Sequence, residues 1–169
     1  MRRALHVVVA GVSGSGKSTV GEQLAARLDV PFCDGDDLHP AANVEKMRAG
    51  TPLTDEDRWP WLDAVGAWLS VHEAGVVACS ALRRAYRDRL REHVPDLEVL
   101  LLDGDRELIR ERQASRGQHF MPTSLLDSQL ATFEPLHHDE LGATIDVADS
   151  VEHIVETWAE RPPGVGGEI

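Results

Sequence analysis

The chain has 169 residues, of which 17 are Lys or Arg and 29 are Asp or Glu, and its formal net charge at pH 7 is -12. This length suits about one domain, large enough for a sheet covered on both faces. The acidic balance argues against a surface for nucleic acid or anionic membrane, because both partners require a basic footprint. No run approaches the roughly eighteen apolar residues of a membrane span. Cys33 and Cys79 each end an apolar run, so we expect packed thiols and a reducing, cytoplasmic setting.

The first predicted elements are a strand, a glycine-rich turn and a helix. Residues 5–10 are apolar and β-branched, as in a buried strand, and Val20, Leu24 and Leu28 recur at helical spacing. Between them, residues 11–18 read GVSGSGKS and fit the phosphate-loop pattern G-x-x-x-x-G-K-[S/T]. Such a turn aims backbone N–H groups at a polyphosphate held on the positive end of the helix. A chance glycine-rich turn is the alternative, which the flanking strand and helix disfavour.

This loop predicts a site for ATP and Mg²⁺. Lys17 supplies a cation for the β- and γ-phosphates, and Ser18 supplies a hydroxyl for Mg²⁺, which prefers oxygen ligands. The predicted nucleotide-binding residues run from the first glycine of the motif to the threonine that follows it: Gly11, Val12, Ser13, Gly14, Ser15, Gly16, Lys17, Ser18 and Thr19.

A second predicted strand, over residues 30–33, leads into the sequence DGDDLHP at 34–40. Because ligands bind beyond the carboxyl ends of parallel strands, we expect these acids to face the same crevice as the phosphate loop. Pro40 suits the start of a helix that carries Lys46. An acidic loop is predicted at 54–58, followed by an amphipathic helix over 61–69.

Three further strands, at 76–79, 97–102 and 143–147, alternate with helices in the rest of the chain. The arginines at 87, 89 and 91 are interpreted mostly as a solvated helical face. Glycine and proline within 116–122 permit a mobile lid, placed at about 112–124, and the last helix is predicted to begin at Asp149 or Ser150. The pattern predicts an α/β fold in three α/β/α layers with a five-stranded, mostly parallel sheet. One domain is expected over 1–161, with 162–169 as a flexible tail.

Several segments together resemble the thermoresistant gluconokinase family, small P-loop kinases related in architecture to shikimate and adenylate kinases. The resemblance spans most of the chain and is most specific in DGDDLHP at 34–40 and NVEKM at 43–47. It implies a P-loop kinase fold, phosphorylation of D-gluconate by ATP to 6-phosphogluconate, and a homodimer. One position departs from the family pattern, because Arg83 stands where a lysine is expected, and the two cations are not interchangeable at a tight contact.

The resemblance also implies a role for each candidate side chain. Asp36 would accept the proton of the gluconate 6-hydroxyl, by analogy with shikimate kinase, and Asp34 would hold Mg²⁺ through water; the alternative is a solvated acidic turn. The substrate carboxylate and hydroxyls need cations and hydrogen-bonding groups. Arg58 is the first choice, unless it only bridges Asp55 or Asp57. The further candidates are Arg83, Lys46, His39 and His119; the alternative is a solvated lysine for Lys46 and a turn residue for His39.

Two arginines near the predicted lid complete the set. Arg112 and Arg116 are spaced i, i+4, so both are expected to point toward the triphosphate as arginine fingers. The alternative is that they pair with Glu107 or Glu111.

Other functions stay open or are disfavoured by single features. A P-loop kinase for shikimate or adenylylsulfate would also place D-x-D after its second strand. A regulatory GTPase would need an N-K-x-D motif, but the only asparagine, Asn43, is followed by Val44. An ATP-binding scaffold without catalysis is disfavoured by the intact Lys17, Ser18 and Asp36.

Overall fold

A computed structural model describes residues 6–115 and 124–161. Within those residues, strands and helices alternate along the chain, with one short 3₁₀ helix at Gly35–Leu38. The strands are β1 (His6–Ala10), β2 (Phe32–Asp34), β3 (Gly75–Ala78), β4 (Glu98–Asp103) and β5 (Gly142–Asp146). The helices are α1 (Lys17–Leu28), α2 (Ala41–Arg48), α3 (Asp55–Val71), α4 (Arg84–His93), α5 (Arg106–Ser115), α6 (Ser124–Thr132) and α7 (Val151–Glu160).

The five strands form one sheet in the order β2-β3-β1-β4-β5, and every pair of neighbours is parallel. Val9 of β1 and Asp34 of β2 both pair with Ala78 of β3, so these three strands end at nearly the same level. The segments that follow them therefore open at one edge of the sheet. The predicted five-stranded α/β fold is confirmed, and the sheet is wholly parallel.

Both faces of the sheet are covered, because successive side chains of a strand point to opposite faces. Val7 and Val9 of β1 join a buried cluster with residues of α1 and α7, including Leu24 and Trp158. Val8 and Ala10 join a second cluster with residues of α3 and α4. The layers are thus α/β/α, as predicted. Cys79 is fully buried, as predicted, and Ser150 caps α7 with its hydroxyl.

Helix α3 begins at Asp55, so the prediction of a loop over 54–58 is wrong. Thr54 Oγ1 accepts from the backbone N–H of Asp57 (3.2 Å), and the Asp57 carboxylate accepts from the N–H of Thr54 (2.9 Å). This capping box satisfies backbone donors at the helix start, where carboxylates also interact favourably with the helix dipole. The acidic residues are therefore the first turn of a helix.

Arg87 is completely buried, so the interpretation of a solvated arginine face is wrong for this residue. It donates to both carboxylate oxygens of Glu140 (2.7 and 3.0 Å), which is equally buried. It also donates to the carbonyls of Ala81 (3.1 Å) and of residues 134 and 135 (3.2 and 3.1 Å). Ala81 is a non-glycine residue at φ 31°, and Arg87 helps to hold it there. The segment after β3 is thereby joined to the segment after α6.

In the ranges 6–115 and 124–161, no helix is long and apolar enough to cross a lipid bilayer.

Candidate active site

The phosphate loop connects the central strand β1 to α1. Gly14 and Gly16 have φ of 87° and 91°, a left-handed conformation that glycine adopts readily. A Cβ on Gly14 would lie 2.9 Å from the carbonyl oxygen of Ile109, whereas nothing lies within 4 Å of a Cβ on Gly16. Gly16 is the N-cap of α1 and has no side chain to accept from the first N–H groups. The start of α1 is therefore built to receive an anion.

The two predicted metal-binding side chains are in contact. Ser18 Oγ donates to Asp34 Oδ2 at 2.8 Å, and Asp34 Oδ1 accepts from the backbone N–H of Asp36 at 3.0 Å. The second bond fixes the carboxylate of Asp34 at the end of β2. Next to them, Lys17 Nζ lies 3.3 Å from the carbonyl oxygen of Val12. Hard oxygen ligands and a cation are thus gathered beside the phosphate loop.

Two glutamines attach the phosphate loop to α5 and α6. Ser13 donates through its backbone N–H to Gln129 Oε1 (2.7 Å) and through its hydroxyl to Gln113 Oε1 (2.5 Å). Gln113 is buried, and Gln129 lines the cleft described next. The phosphate loop is thus hydrogen-bonded to both helices.

A single cleft extends from the phosphate loop to the start of α3 and α4. Its walls come from the phosphate loop, the 3₁₀ helix, α2, α3, α4, α6 and the segment after β3. Its lining residues are Ser13, Lys17, Ser18, Asp36, His39, Met47, Pro52, Leu53, Arg58, Trp61, Ser80, Leu82, Tyr86, Ser128 and Gln129. The cleft thus contains the predicted phosphate-binding lysine, the predicted proton acceptor Asp36 and the predicted carboxylate-binding Arg58.

His39 is held against an indole ring beside Asp36. Its imidazole stacks on Trp61 with centroids 4.0 Å apart and an interplanar angle of 13°, while Trp61 Nε1 donates to the carbonyl of Gly35 at 2.8 Å. The His39 side chain is 3% exposed, and its Nε2 lies 4.0 Å from Asp36 Oδ1. Burial, and secondarily the charge of Arg58, lowers the pKa of His39 to about 4. The ring is therefore neutral at physiological pH.

Arg58 supplies a positive charge to the lining of the cleft. Its Nη1 donates to the hydroxyl of Tyr86 (2.9 Å) and contacts Asp55 Oδ1 (3.4 Å), and its guanidinium lies 5.1 Å from the centre of the Tyr86 ring. The Tyr86 hydroxyl in turn donates to Asp55 Oδ1 at 2.5 Å. Burial, together with the bond to Asp55, raises the pKa of Tyr86 to about 12, so the hydroxyl stays protonated. Arg58 thus lines the cleft, as expected for a substrate-binding residue, and also contacts Asp55, as expected under the alternative.

The chain as a whole is similar to known proteins. A family model described as an AAA domain matches residues 7–136. The thermosensitive gluconokinase of Escherichia coli K12 is 45% identical over 154 residues, which cover 88% of this chain and 82% of that protein. The gluconokinase of Gluconobacter oxydans 621H is 49% identical over 138 residues, covering 79% and 78%. The chain belongs to the gluconokinase family.

A solved structure supports the same assignment. The crystal structure of a gluconokinase from Sinorhizobium meliloti 1021 superposes with a TM-score of 0.85 at 48% identity, covering 94% of this chain and 92% of that one. Membership of the gluconokinase family, whose members are P-loop kinases, implies the use of ATP with a divalent metal. Within the described residues, no group of three or more His, Cys, Asp or Glu side chains could hold a metal ion. A hydrated Mg²⁺ shared with phosphate oxygens fits the Ser18–Asp34 pair better than an all-protein cage does.

Not every predicted residue of this gluconokinase-family site lies in the cleft. Lys46 is outside its lining and pairs with Asp57 at 2.7 Å, a bond that helps to lower the pKa of Asp57 to about 2. Arg83 is exposed at the N-cap of α4, and its side chain forms no hydrogen bond or ion pair within the described residues. Arg112 donates to the carbonyl of Val147 at 2.7 Å. Arg116 and His119 fall outside the described residues, as does most of the predicted lid, and their roles stay predictions.

Sequence reasoning missed three polar members of this gluconokinase-family site. The ring of Tyr86 fits the apolar periodicity of α4, and its hydroxyl leaves no mark in the pattern. Gln113 and Gln129 reach the phosphate loop from 100 and 116 residues away, and no local motif indicates this contact.

Proposed function

We propose that this chain transfers the γ-phosphoryl group of ATP to the 6-hydroxyl of D-gluconate, giving 6-phospho-D-gluconate and ADP. The observation that carries the proposal is that one cleft gathers the groups that this reaction needs. Lys17, Ser18, Asp36 and Arg58 all line it. Ser18 bonds to Asp34, Asp34 bonds to the N–H of Asp36, and Asp36 lies 4.0 Å from His39. These groups match a triphosphate, a reacting hydroxyl and a carboxylate.

At the phosphate end, the start of α1 and Lys17 bind the β- and γ-phosphates. Ser18 and Asp34 would hold Mg²⁺, Asp34 through water, and the bound ion would neutralise charge on the transferring phosphoryl group. Arg112, which donates to the carbonyl of Val147, is assigned to the same phosphates, and Arg116 is assigned the same task on the strength of its spacing. These cations stabilise the negative charge that spreads over the phosphoryl oxygens.

At the acceptor end, Asp36 orients the 6-hydroxyl and accepts its proton as the bond to phosphorus forms. Phosphoryl transfer depends mainly on positioning and neutralised charge, so a carboxylate with modest basicity suffices. Arg58 binds the gluconate carboxylate, since a guanidinium has five N–H donors and the contacts to Tyr86 and Asp55 use only those on Nη1. His39 forms a hydrogen bond with a gluconate hydroxyl. Lys46, Arg83 and His119 are assigned supporting contacts with the substrate.

A coupled ADP-release assay tests the substrate assignment. D-gluconate, shikimate, adenylylsulfate and other sugar acids are offered at equal concentration with Mg²⁺ and ATP, and ³¹P–¹³C NMR of the product locates the phosphate. Gluconate alone is expected to release ADP well above the rate without acceptor, with phosphorus on C6. Preferential turnover of shikimate or adenylylsulfate would refute the proposal. Sedimentation of the same sample reports the predicted homodimer.

A further inference from the structure

Asn43 of α2 fixes which nitrogen of His39 carries the proton. Asn43 is 4% exposed, and its Nδ2 lies 2.9 Å from the carbonyl oxygen of Asp57 and 3.3 Å from His39 Nδ1. A carbonyl oxygen can only accept, so the Asn43 atom beside it is the amino group, whose second proton is available to Nδ1. Nδ1 then accepts and carries no proton. A neutral His39 must therefore carry its proton on Nε2.

The opposite edge of the His39 ring lies beside Asp36 in the cleft. His39 Nε2 lies 4.0 Å from Asp36 Oδ1, and both residues line the cleft. The charged groups that act on the ring are Asp36 and Arg58, while Asp57 approaches Asn43 only through its backbone carbonyl. The Asn43 amino group and Arg58 both oppose a second proton on the ring. An N–H donor and a carboxylate acceptor thus stand side by side where an acceptor molecule would enter.

We propose that Asn43 is a positioning residue that fixes His39 as an Nε2–H donor, so that His39 and Asp36 read two neighbouring hydroxyls of the polyol. The reacting hydroxyl donates to Asp36, and the hydroxyl on the adjacent carbon accepts from His39. This inference rests on the proposed gluconate kinase activity. It deepens that activity by naming a donor–acceptor pair that an acceptor with a lone hydroxyl cannot satisfy.

The tautomer of His39 can be measured in the unmodified protein. In ¹⁵N-histidine-labelled protein, long-range ¹H–¹⁵N spectra distinguish Nε2–H, Nδ1–H and doubly protonated rings, and His39→Gln identifies the signals. The Nε2–H form is expected from pH 8 down to about 5. An Nδ1–H or charged ring at pH 7 would overturn the inference. Because this measurement needs no substrate, it stands apart from the ADP-release assay, whose failure would count against the proposed function alone.

Asn43→Asp replaces a donor by an acceptor of the same shape. His39 is then expected to take a proton on Nδ1, with a raised pKa, and kcat/KM for gluconate is expected to fall about tenfold. The affinity for ATP, which depends on the phosphate loop, should not change. A substitution that merely loosened the fold would not move the proton on the ring.

A double-mutant cycle separates positioning from structural damage. In His39→Gln, the side-chain amide offers an N–H donor whatever stands at residue 43, so Asn43→Asp should cost much less in that background. Equal losses in both backgrounds, or an unchanged His39 tautomer in Asn43→Asp, would refute the inference. If Asn43→Asp does not fold, the spectrum of the unmodified protein still decides the question.

Discussion

The phosphate end and the acceptor end of the cleft differ in how far apart in sequence their residues lie. The phosphate end is nearly contiguous: a strand, one loop and the first turn of α1 supply the glycines, Lys17 and Ser18. The acceptor end is assembled from the 3₁₀ helix, α2, α3 and α4, with side chains such as His39, Arg58 and Tyr86 in contact across long sequence separations. The phosphate end is thus fixed largely by local backbone geometry, supplemented by distant contacts from Asp34, Gln113 and Gln129, whereas the acceptor end is fixed by packing and hydrogen bonds between distant elements.

The largest expected effect concerns the buried ion pair behind the acceptor end. Arg87→Met leaves Glu140 as an unpaired buried charge and removes the donor to the strained Ala81 segment, so the free energy of unfolding should fall by about 3–5 kcal/mol. Arg89→Met is the matched control, because Arg89 pairs with Asp63 near the surface and its loss should destabilise the fold far less. Urea unfolding measures both. Equal losses of unfolding free energy in Arg87→Met and Arg89→Met would mean that the acceptor end does not depend on the distant contact between Arg87 and Glu140.

A second test concerns the phosphate end and its local geometry. Gly14→Ala forces a Cβ against the carbonyl of Ile109 at φ 87°, and we expect a cost of about 3 kcal/mol together with weakened ATP binding. Gly16→Ala meets no neighbouring atom, so only the backbone conformation is penalised, by about 1–2 kcal/mol. Calorimetric ATP titration and urea unfolding compare the two variants. If Gly16→Ala were the more damaging, local crowding would not govern this end.

A third test uses pH to probe the burial of His39. Its folded pKa of about 4 lies below the ordinary value of 6.5. Between these two values the unfolded chain binds a proton that the folded chain does not, so stability falls as pH falls, by roughly 1.4 kcal/mol per pH unit. Above pH 6.5 this contribution is constant. In His39→Gln, the slope of the free energy of unfolding against pH should be smaller by that amount. Parallel stability curves for the two proteins from pH 7 to 4 would contradict the burial of a neutral ring.

The smallest expected effect concerns the capping box that starts α3 and orients Arg58. Thr54→Ala removes the side-chain acceptor for the N–H of Asp57 and should lower the free energy of unfolding by about 1 kcal/mol. The Michaelis constant for gluconate should rise slightly, because Arg58 lies one turn into the helix, while that for ATP should not change. Thr51→Ala, at an exposed site before the helix, is the control. A change in the Michaelis constant for ATP alone would contradict the independence of the phosphate end from the acceptor end.

The same difference explains what the sequence could predict. The phosphate loop, the alternation of strands and helices, and the carboxylates after β2 follow from local patterns, and the structure confirms the fold that they predict. Thr54 and Asp57 also form a local pattern, a capping box, although the acidic residues at 54–58 led to the prediction of a loop. These features need no knowledge of residues far along the chain.

Features that depend on distant partners could not be predicted in this way. Arg87 looks like a surface arginine until Glu140, 53 residues later, is placed beside it. The ring nitrogen of His39 that carries the proton depends on Asn43. The orientation of Asn43 is itself set by the backbone carbonyl of Asp57 in α3. Periodicity reports burial of apolar surface, whereas these side chains are buried and polar, and their partners become visible only in three dimensions.

The most direct test of the proposed chemistry is the turnover of Asp36→Asn. This variant keeps the shape of the side chain and removes the proton acceptor, so kcat with gluconate should fall by at least about a hundredfold, while ATP affinity measured by calorimetry should change by less than about twofold. Asp37→Asn, an exposed neighbour with the same change of charge, should retain nearly full turnover. Turnover of Asp36→Asn equal to that of Asp37→Asn would contradict the placement of the reacting hydroxyl at Asp36.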